Sequence, residues 1–313
     1  MNMLNEVIGQ QQAKTELEFR LNNHINTKGA FPNLLLTGSK GDGKSHLARK
    51  IGKNLPDFSD GSRDYKAFFT INGSALKNLR VFFEQYCSQF ADGDKYCTVF
   101  IDEAHEIKKP VQAALLSVLE NTKTNRNVYE YEDIPYYFDF RKVTFIFATT
   151  DEDKLVEPLI DRLLKITLSP YTPDELAEII NGVVGEAMEF DKGVLEKASQ
   201  YVRRNARKAD QLAKDILSLG VPVFKMIHLK KLIEKTNLAP MGLDLDEIRT
   251  LRILEECASS DGLSLGQLAS RMGRPGRSMQ KGVEPYLLAN NLMEIDGKRR
   301  ITAKGREYLK NLA

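Results

Sequence analysis

Apolar positions follow two alternating rhythms through the first half of the chain. Short unbroken runs occur at Leu34-Leu35-Leu36, at AFFTIN (67–72), at Cys97 to Ile101 and at Val143 to Ala148. Their length and their β-branched and aromatic content are those of buried strands. Between them lie helical patterns: one through Leu17, Leu21 and His24, one over HLARKIGKNL (46–55), one from Ser74 to Phe90 and one from Val111 to Leu119. Buried strands alternating with amphipathic helices predict an α/β domain with a parallel sheet, placed at 1–169. One stretch interrupts it, TNRNVYEYEDIPYYFDFR (124–141). Two β-prone runs flanking Asp133-Ile134-Pro135 predict a projecting hairpin. Its aromatics, Tyr129, Tyr131, Tyr136, Tyr137 and Phe138, either pack on the domain or form a docking surface for a partner or DNA.

Beyond Ser169-Pro170 the pattern changes. Thr172 with Glu175 makes a capping box and Pro173 takes the first helical position, so a new helix starts there. The segments DELAEIINGVVGEA, DKGVLEKASQYV, ARKADQLAKDILSL and FKMIHLKKLIEKT are all helical in period, which predicts an all-α domain at 170–240. The remainder, 241–313, reads as helices over Asp244 to Ala258, from Ser264, and over Gly276 to Asn290. A hairpin around Asp296-Gly297 and a last helix from Ala303 to Leu312 follow. Three helices and a β-wing form a winged helix-turn-helix.

At 313 residues there is room for two or three such domains, and 28% charged residues is ordinary for a globular protein. The three cysteines, Cys87, Cys97 and Cys257, are scattered without a C-x-x-C pair, which argues for reduced thiols and against a metal centre built on them. No apolar run approaches a membrane span and the N-terminus lacks a signal pattern, so a cytoplasmic location is expected. The net charge of +2 hides an uneven distribution. From Ser264 onward ten basic residues face four acids. Arg271, Arg274, Arg277 and Lys281 gather around the third helix, and Lys298, Arg299 and Arg300 lie on the wing, where a DNA backbone would run. The alternative for such a unit is protein docking.

The candidate chemistry sits on the first predicted strand. TGSKGDGKS (37–45) fits G-x-x-x-x-G-K-[ST], directly after the run 34–36 and just before a helix. In that context glycines let backbone N–H groups cradle phosphate oxygens, and the helix N-terminus adds its positive end. Gly38, Gly41, Gly43, Lys44, Ser45 and His46 are therefore the expected nucleotide contacts. Lys44 would reach the β- and γ-phosphates and the Ser45 hydroxyl would ligate Mg²⁺. Further on, Cys97 to Ile101 runs into Asp102-Glu103. Acids at the carboxyl end of a buried strand stand where ligands bind in parallel sheets: Asp102 suits the Mg²⁺ shell and Glu103 the activation of water. Thr149-Thr150 ends the next strand and suits a contact to the γ-phosphate or to the attacking water. Arg162 has a surface ion-pair reading, and the cluster Arg203, Arg204, Arg207 and Lys208 that of a solvated basic patch. The cluster also lies at a helix start, where positive charge opposes the dipole and calls for a counter-ion.

With these residues in place the chain resembles the RuvB family of AAA+ motors over nearly its whole length. VIGQ (7–10) looks like that family's adenine-contacting segment, which implies Ile8 and Gly9. VFIDEAH looks like its Mg²⁺ and hydrolysis motif, FATT is similar to its first sensor (Thr150), PLIDRL to its arginine-finger segment (Arg162) and NARKA to its second sensor (Arg207). VEPYLLANNLME is close to its winged-helix signature. The resemblance implies an AAA+ P-loop parallel-sheet domain, an all-α lid and a C-terminal winged helix. It also implies ATP and Mg²⁺ bound between sheet domain and lid, a homo-oligomeric ring of six, largely sequence-independent contacts to branched or duplex DNA, and a RuvA-like protein on the 124–141 hairpin. The chain departs from the family in having Ser39-Lys40 where the phosphate loop usually carries paired prolines. Two functions follow as expectations: an ATP-driven DNA branch-migration motor or, with the same motifs used as a switch, a DNA-binding matchmaker or loader of a phage or mobile element.

Overall fold

The computed structural model describes residues 4–28, 31–56, 67–91, 96–120, 126–131, 134–258 and 262–312; within the hairpin it describes the side chains of Pro135 and of Tyr137 onward. The chain divides into two compact units, Met1–Ile179 with Arg204–Arg207, and Ile180–Arg203 with Lys208–Ala313.

In the first unit α1 (Gln11–Thr27) precedes β1 (Leu34–Thr37), α2 (Lys44–Asn54) and β2 (Ala67–Asn72). A π-helical turn over Val81–Cys87 runs into the short α3 (Ser88–Phe90), followed by β3 (Cys97–Asp102) and α4 (Lys109–Val118). The hairpin β4 (Arg126–Tyr131) and β5 (Ile134–Asp139) comes next, then β6 (Val143–Thr149), α5 (Glu157–Ile160), β7 (Leu164–Thr167) and the start of α6 (Pro173–Val184). Strands associate in the order β2-β3-β6-β1-β7, and every neighbouring pair is parallel. Both faces of this sheet are covered, and the side chains sort by the two-residue period of a strand. Leu35, Val99, Ile101, Phe145 and Phe147 enter one core with Phe82 and Phe83. Leu34, Leu36, Phe100, Ile146 and Ala148 enter the other with α1 and α2. That two-sided burial is why these strands read as unbroken apolar runs.

Three expectations are corrected here. AFFTIN is a strand but not a buried one: β2 lies at the edge of the sheet, and only Ile71 is buried. The helix expected from Ser74 opens with a separate 3₁₀ turn at Gly73–Ala75 and resumes after Asn78, whose side-chain oxygen accepts from the Val81 N–H at 2.9 Å. The hairpin forms, with Tyr129 opposite Tyr136, and not all of its described aromatics pack on the domain. Phe138 and Phe140 join the core, Phe138 stacking on Phe83 at 5.5 Å, while Tyr137 is 76% exposed. The side chains of Tyr129, Tyr131 and Tyr136, and Asp133 of the turn, lie outside the described residues.

In the second unit the expected helices appear as α7 (Val194–Ser199), α8 (Ala206–Leu217) and α9 (Met226–Thr236), tied by a small parallel pair, β8 (Glu189–Phe190) and β9 (Val223–Phe224). The winged helix follows as α10 (Leu245–Glu256), α11 (Leu265–Met272), α12 (Gly276–Ser278), α13 (Glu284–Ala289), the wing β10 (Met293–Asp296) with β11 (Lys298–Ile301), and α14 (Ala303–Leu312). Reciprocal capping boxes, Asp244 with Glu247 and Ser264 with Gln267, start α10 and α11. The third helix is broken by a π turn over Met279–Val283 just before Glu284-Pro285, since proline cannot supply the N–H that would continue the ladder. The helical segment and the winged helix form one compact unit rather than two. A turn at Pro240–Gly242 joins them: the Met241 N–H donates to the Gln200 carbonyl at 2.8 Å, the Tyr286 hydroxyl to Met241 O at 2.6 Å and the Tyr308 hydroxyl to Pro240 O at 2.9 Å.

Arg299 departs from its expected role on the wing. It is buried, and its guanidinium grips the buried Glu284 through Nε at 2.9 Å and Nη2 at 3.3 Å. Glu284 and Arg299 therefore serve the fold and not a ligand. Truncating one partner strands the other charge in the core, so Arg299→Ala should cost about 3–5 kcal/mol in urea unfolding, whereas Glu284→Met with Arg299→Met should recover most of that. An unchanged urea midpoint in Arg299→Ala would contradict this reading.

Candidate active site

All five strands of the parallel sheet point the same way, so their carboxyl ends share one edge. The loop 38–43 leaves β1 there, Asp102 ends β3 and Thr149 ends β6, with Thr37 and Thr149 as register partners. Gly38, Gly41 and Gly43 hold φ of 148°, 93° and 93°, a backbone region that side chains rarely tolerate. Lys44 and Ser45 open α2. The buried Lys44 ammonium donates to Gly38 O and Ser39 O, each at 2.8 Å. Burial pushes its pKa down, Asp42, Glu103 and Asp102 push it back up, and Arg207 adds to the depression. Lys44 is thus within electrostatic reach of both acids and of Arg207.

Ser45 Oγ donates to Asp102 Oδ2 at 2.8 Å. A hydroxyl and a carboxylate held together are hard oxygen donors, and they fit the partial shell that Mg²⁺ takes from a protein. Glu103, the next residue, is in the left-handed region with φ 50° and ψ 49°. Non-glycine residues are held there only where the surroundings demand it. Gly73 packs against this kink so closely that a Cβ would stand 2.4 Å from the Glu103 carbonyl. The kink sends the Glu103 carboxylate to His105, whose Nδ1 lies 3.5 Å from Glu103 Oε2 and 3.1 Å from the hydroxyl of the buried Thr149. Thr150, the expected sensor, is exposed just past the strand end, whereas the Thr149 hydroxyl is engaged by His105 and by the Asp151 N–H at 3.0 Å.

The remaining predicted contacts fall in several places. Ile8 is half-buried and Gly9, with φ 64°, lies under the Glu175 carboxylate, which a Cβ would meet at 2.6 Å. His46 is exposed on the first turn of α2. Arg162 is exposed after α5, its guanidinium donating to Pro158 O at 2.8 Å. Of the cluster near 203–208, Arg203 is committed elsewhere: it pairs with the fully buried Glu247 at 2.9 Å and stacks 3.5 Å from the Tyr286 ring. Arg207 belongs to the first unit and is the member of the cluster that acts on Lys44. In the winged helix Arg277, Lys281 and Lys298 are exposed. Arg274 pairs with Asp246, Arg300 lies 3.6 Å from Asp296, and Arg271 donates to Cys257 Sγ at 3.0 Å. The ion pairs Arg274–Asp246 and Arg300–Asp296, open to solvent, are worth little.

Four residues absent from the sequence reading shape the loop. Gln10 is buried, with φ 56°; its Nε2 donates to Ser169 O at 2.7 Å and Asp42 O at 3.3 Å, and its Oε1 accepts from Ser169 N at 2.9 Å. Asn205 donates to Lys40 O at 2.9 Å, the Ala206 N–H donates to Gly41 O at 3.1 Å, and a Cβ on Gly41 would strike Asn205 Oδ1 at 2.1 Å. Tyr171 stands over Gly43, its hydroxyl 2.6 Å from where a Cβ would be. Asp42 is buried inside the loop itself. Gln10, Asn205 and Tyr171 have no signal in spacing, because their contacts join segments far apart in the chain.

The parallel sheet, the glycine loop with its lysine and hydroxyl, and the acid pair on β3 define an AAA+ ATPase, an ATP-hydrolysing enzyme, carrying a winged helix. The model of the ATPase family associated with various cellular activities matches residues 34–171, and that of the RuvB C-terminal winged helix domain matches 240–310. The Holliday junction branch migration complex subunit RuvB of Ureaplasma urealyticum is 27% identical over 98% of this chain and 95% of its own length. That of Mycoplasma genitalium is 24% identical over 99% and 97%. The solved Thermotoga maritima RuvB Holliday junction branch migration motor superposes with a TM-score of 0.76 at 25% identity, covering 99% of this chain and 97% of that one. Within the AAA+ class the chain is RuvB-like.

Since Gln10 satisfies buried backbone groups on two separate segments, Gln10→Ala should lower stability by about 1–3 kcal/mol and weaken nucleotide binding with it. Thermal unfolding and nucleotide titration check this; a variant that melts and binds as the parent does would refute it.

Proposed function

We propose that the chain is an ATP-driven DNA motor that moves branched DNA, with four-way junctions as its substrate class. The observation that carries this is the meeting of Lys44, Ser45, Asp102 and Glu103 around one phosphate loop, in a chain that also carries a basic winged helix. ATP, with Mg²⁺, supplies the scissile phosphoanhydride. Backbone N–H groups of 41–45 and the Lys44 ammonium bind its phosphates; Ser45 and Asp102 hold the ion; Glu103 orients and deprotonates water. Arg207 contributes positive charge as the second sensor and Thr150 the first, with Ile8 and Gly9 beside the base. Exposed Arg162 suits a role in trans, stabilising charge in a neighbouring copy, so activity on this reading requires a ring, here a hexamer. Arg277, Lys281 and Lys298, with Arg271, Arg274 and Arg300 after exchange of their partners, contact the duplex backbone without reading sequence. Tyr137 on the hairpin offers docking area to a RuvA-like protein. Among the described residues no helix is long and apolar enough to cross a membrane, and the cytoplasm is the fitting compartment for a DNA motor.

The deciding experiment is a junction-displacement assay with purified protein and ATP. Branch movement supports the motor; binding of the junction without movement overturns it in favour of a switch. Glu103→Gln should keep ATP affinity within about twofold while turnover falls at least about 100-fold, as for loss of a general base. Arg162→Ala should lose about 10³-fold of DNA-stimulated turnover yet bind ATP normally. Normal turnover in either variant removes that residue from its role.

A further inference from the structure

Asp42 is the one acid within the phosphate loop, and only 3% of its surface is exposed. The same short turn is closed from both sides: Ser39 N–H donates to Asp42 Oδ2 at 2.5 Å, and Asp42 N–H donates back to Ser39 O at 3.3 Å. The carboxylate lies against the first glycine, where a Cβ on Gly38 would stand 3.1 Å from Oδ2. Gln10 Nε2 holds the Asp42 carbonyl from outside the loop. Burial pushes the Asp42 carboxyl above its ordinary range, against the Ser39 N–H and Lys44, which both favour the anion. A negative charge has thus been placed, at a desolvation cost, in a loop whose purpose is to attract anions.

We propose that Asp42 is a positioning residue that sets nucleotide affinity: its carboxylate holds the 39–42 turn closed, and its fixed charge weakens the loop's grip on a polyphosphate. The tie and the charge act in opposite directions. A charge-assisted hydrogen bond to Ser39 pre-shapes the backbone, which favours binding. The same charge neutralises part of Lys44 and repels the incoming phosphates, which opposes it. The outcome is a loop that is shaped for a triphosphate yet releases nucleotide readily, as a cycling enzyme requires. This proposal rests on the nucleotide site described above.

Asn at position 42 keeps an oxygen for the Ser39 N–H while removing the charge; Ala removes both. Titration of ATP and ADP into the purified full-length chain with Mg²⁺ separates the two contributions. Asp42→Asn should bind ATP about tenfold more tightly than the parent, with a smaller gain for ADP, because charge repulsion scales with phosphate charge and is screened by salt. Asp42→Ala should fall below Asp42→Asn for both nucleotides, since it loses the tie. Equal or weaker ATP binding by Asp42→Asn overturns the proposal, and so does an equal gain for ATP and ADP, which would mark a purely structural effect. Lys44→Ala is the control: if the parent binds no nucleotide, or Lys44→Ala binds as the parent does, the nucleotide site itself fails and not the role of Asp42.

Discussion

A loop that binds phosphate through backbone N–H groups has to be built from residues with almost no side chain to hold it in place. That constraint runs through the first unit. The glycines at 38, 41 and 43 adopt φ values closed to other residues, which frees the N–H groups but leaves the loop without packing of its own. Its shape comes from outside: Gln10 on the Asp42 carbonyl, Asn205 on the Lys40 carbonyl, the Ala206 N–H on the Gly41 carbonyl and the Tyr171 hydroxyl over Gly43. Two of these supports also explain a glycine: Asn205 occupies the space a Cβ on Gly41 would need, and the Tyr171 hydroxyl that of a Cβ on Gly43. The loop and its scaffold are therefore one object.

The second unit solves a different problem, that of holding buried charge. Glu284 and Arg299 form a bidentate pair in the winged-helix core, and Glu247 meets Arg203, which also stacks on Tyr286. Burial pushes the Glu247 carboxyl up, yet the Asp244 N–H and Arg203 both favour its ionised form. The Arg203–Glu247 pair joins the helical segment to the winged helix, and the Tyr286 and Tyr308 hydroxyls hold the Pro240–Gly242 turn. Arg203 and Arg207 thus serve different units although only three residues separate them.

At the catalytic edge the backbone itself carries information. Glu103 adopts a left-handed conformation that ordinary side chains avoid, and Gly73 makes room for the resulting carbonyl. The carboxylate then meets His105, which also contacts the buried Thr149 hydroxyl. The ends of β3 and β6 are linked through one imidazole, which contacts both the Glu103 carboxylate and the Thr149 hydroxyl.

The chain alone was enough to read the parallel sheet, the phosphate loop, the acid pair at Asp102 and Glu103, the capping box at Thr172 and Glu175, and the helices and wing of the last domain. All of these are encoded by neighbours within a few residues: period, glycine spacing, caps and turn pairs are local properties. Tertiary structure decided what locality cannot encode. AFFTIN has the composition of a buried strand yet lies at the sheet edge, because strand order is set by how helices cross and not by the strand itself. Arg299 looks like one more basic residue on the wing until folding brings Glu284 beside it. Arg203 and Arg207 are indistinguishable as letters and are separated only by what lies opposite each. Gln10, Asn205 and Tyr171 reach the loop across as many as 165 residues of chain. Charge, spacing and period specify that a phosphate loop exists; long-range contacts, which depend on the packing of the whole unit, specify what holds it.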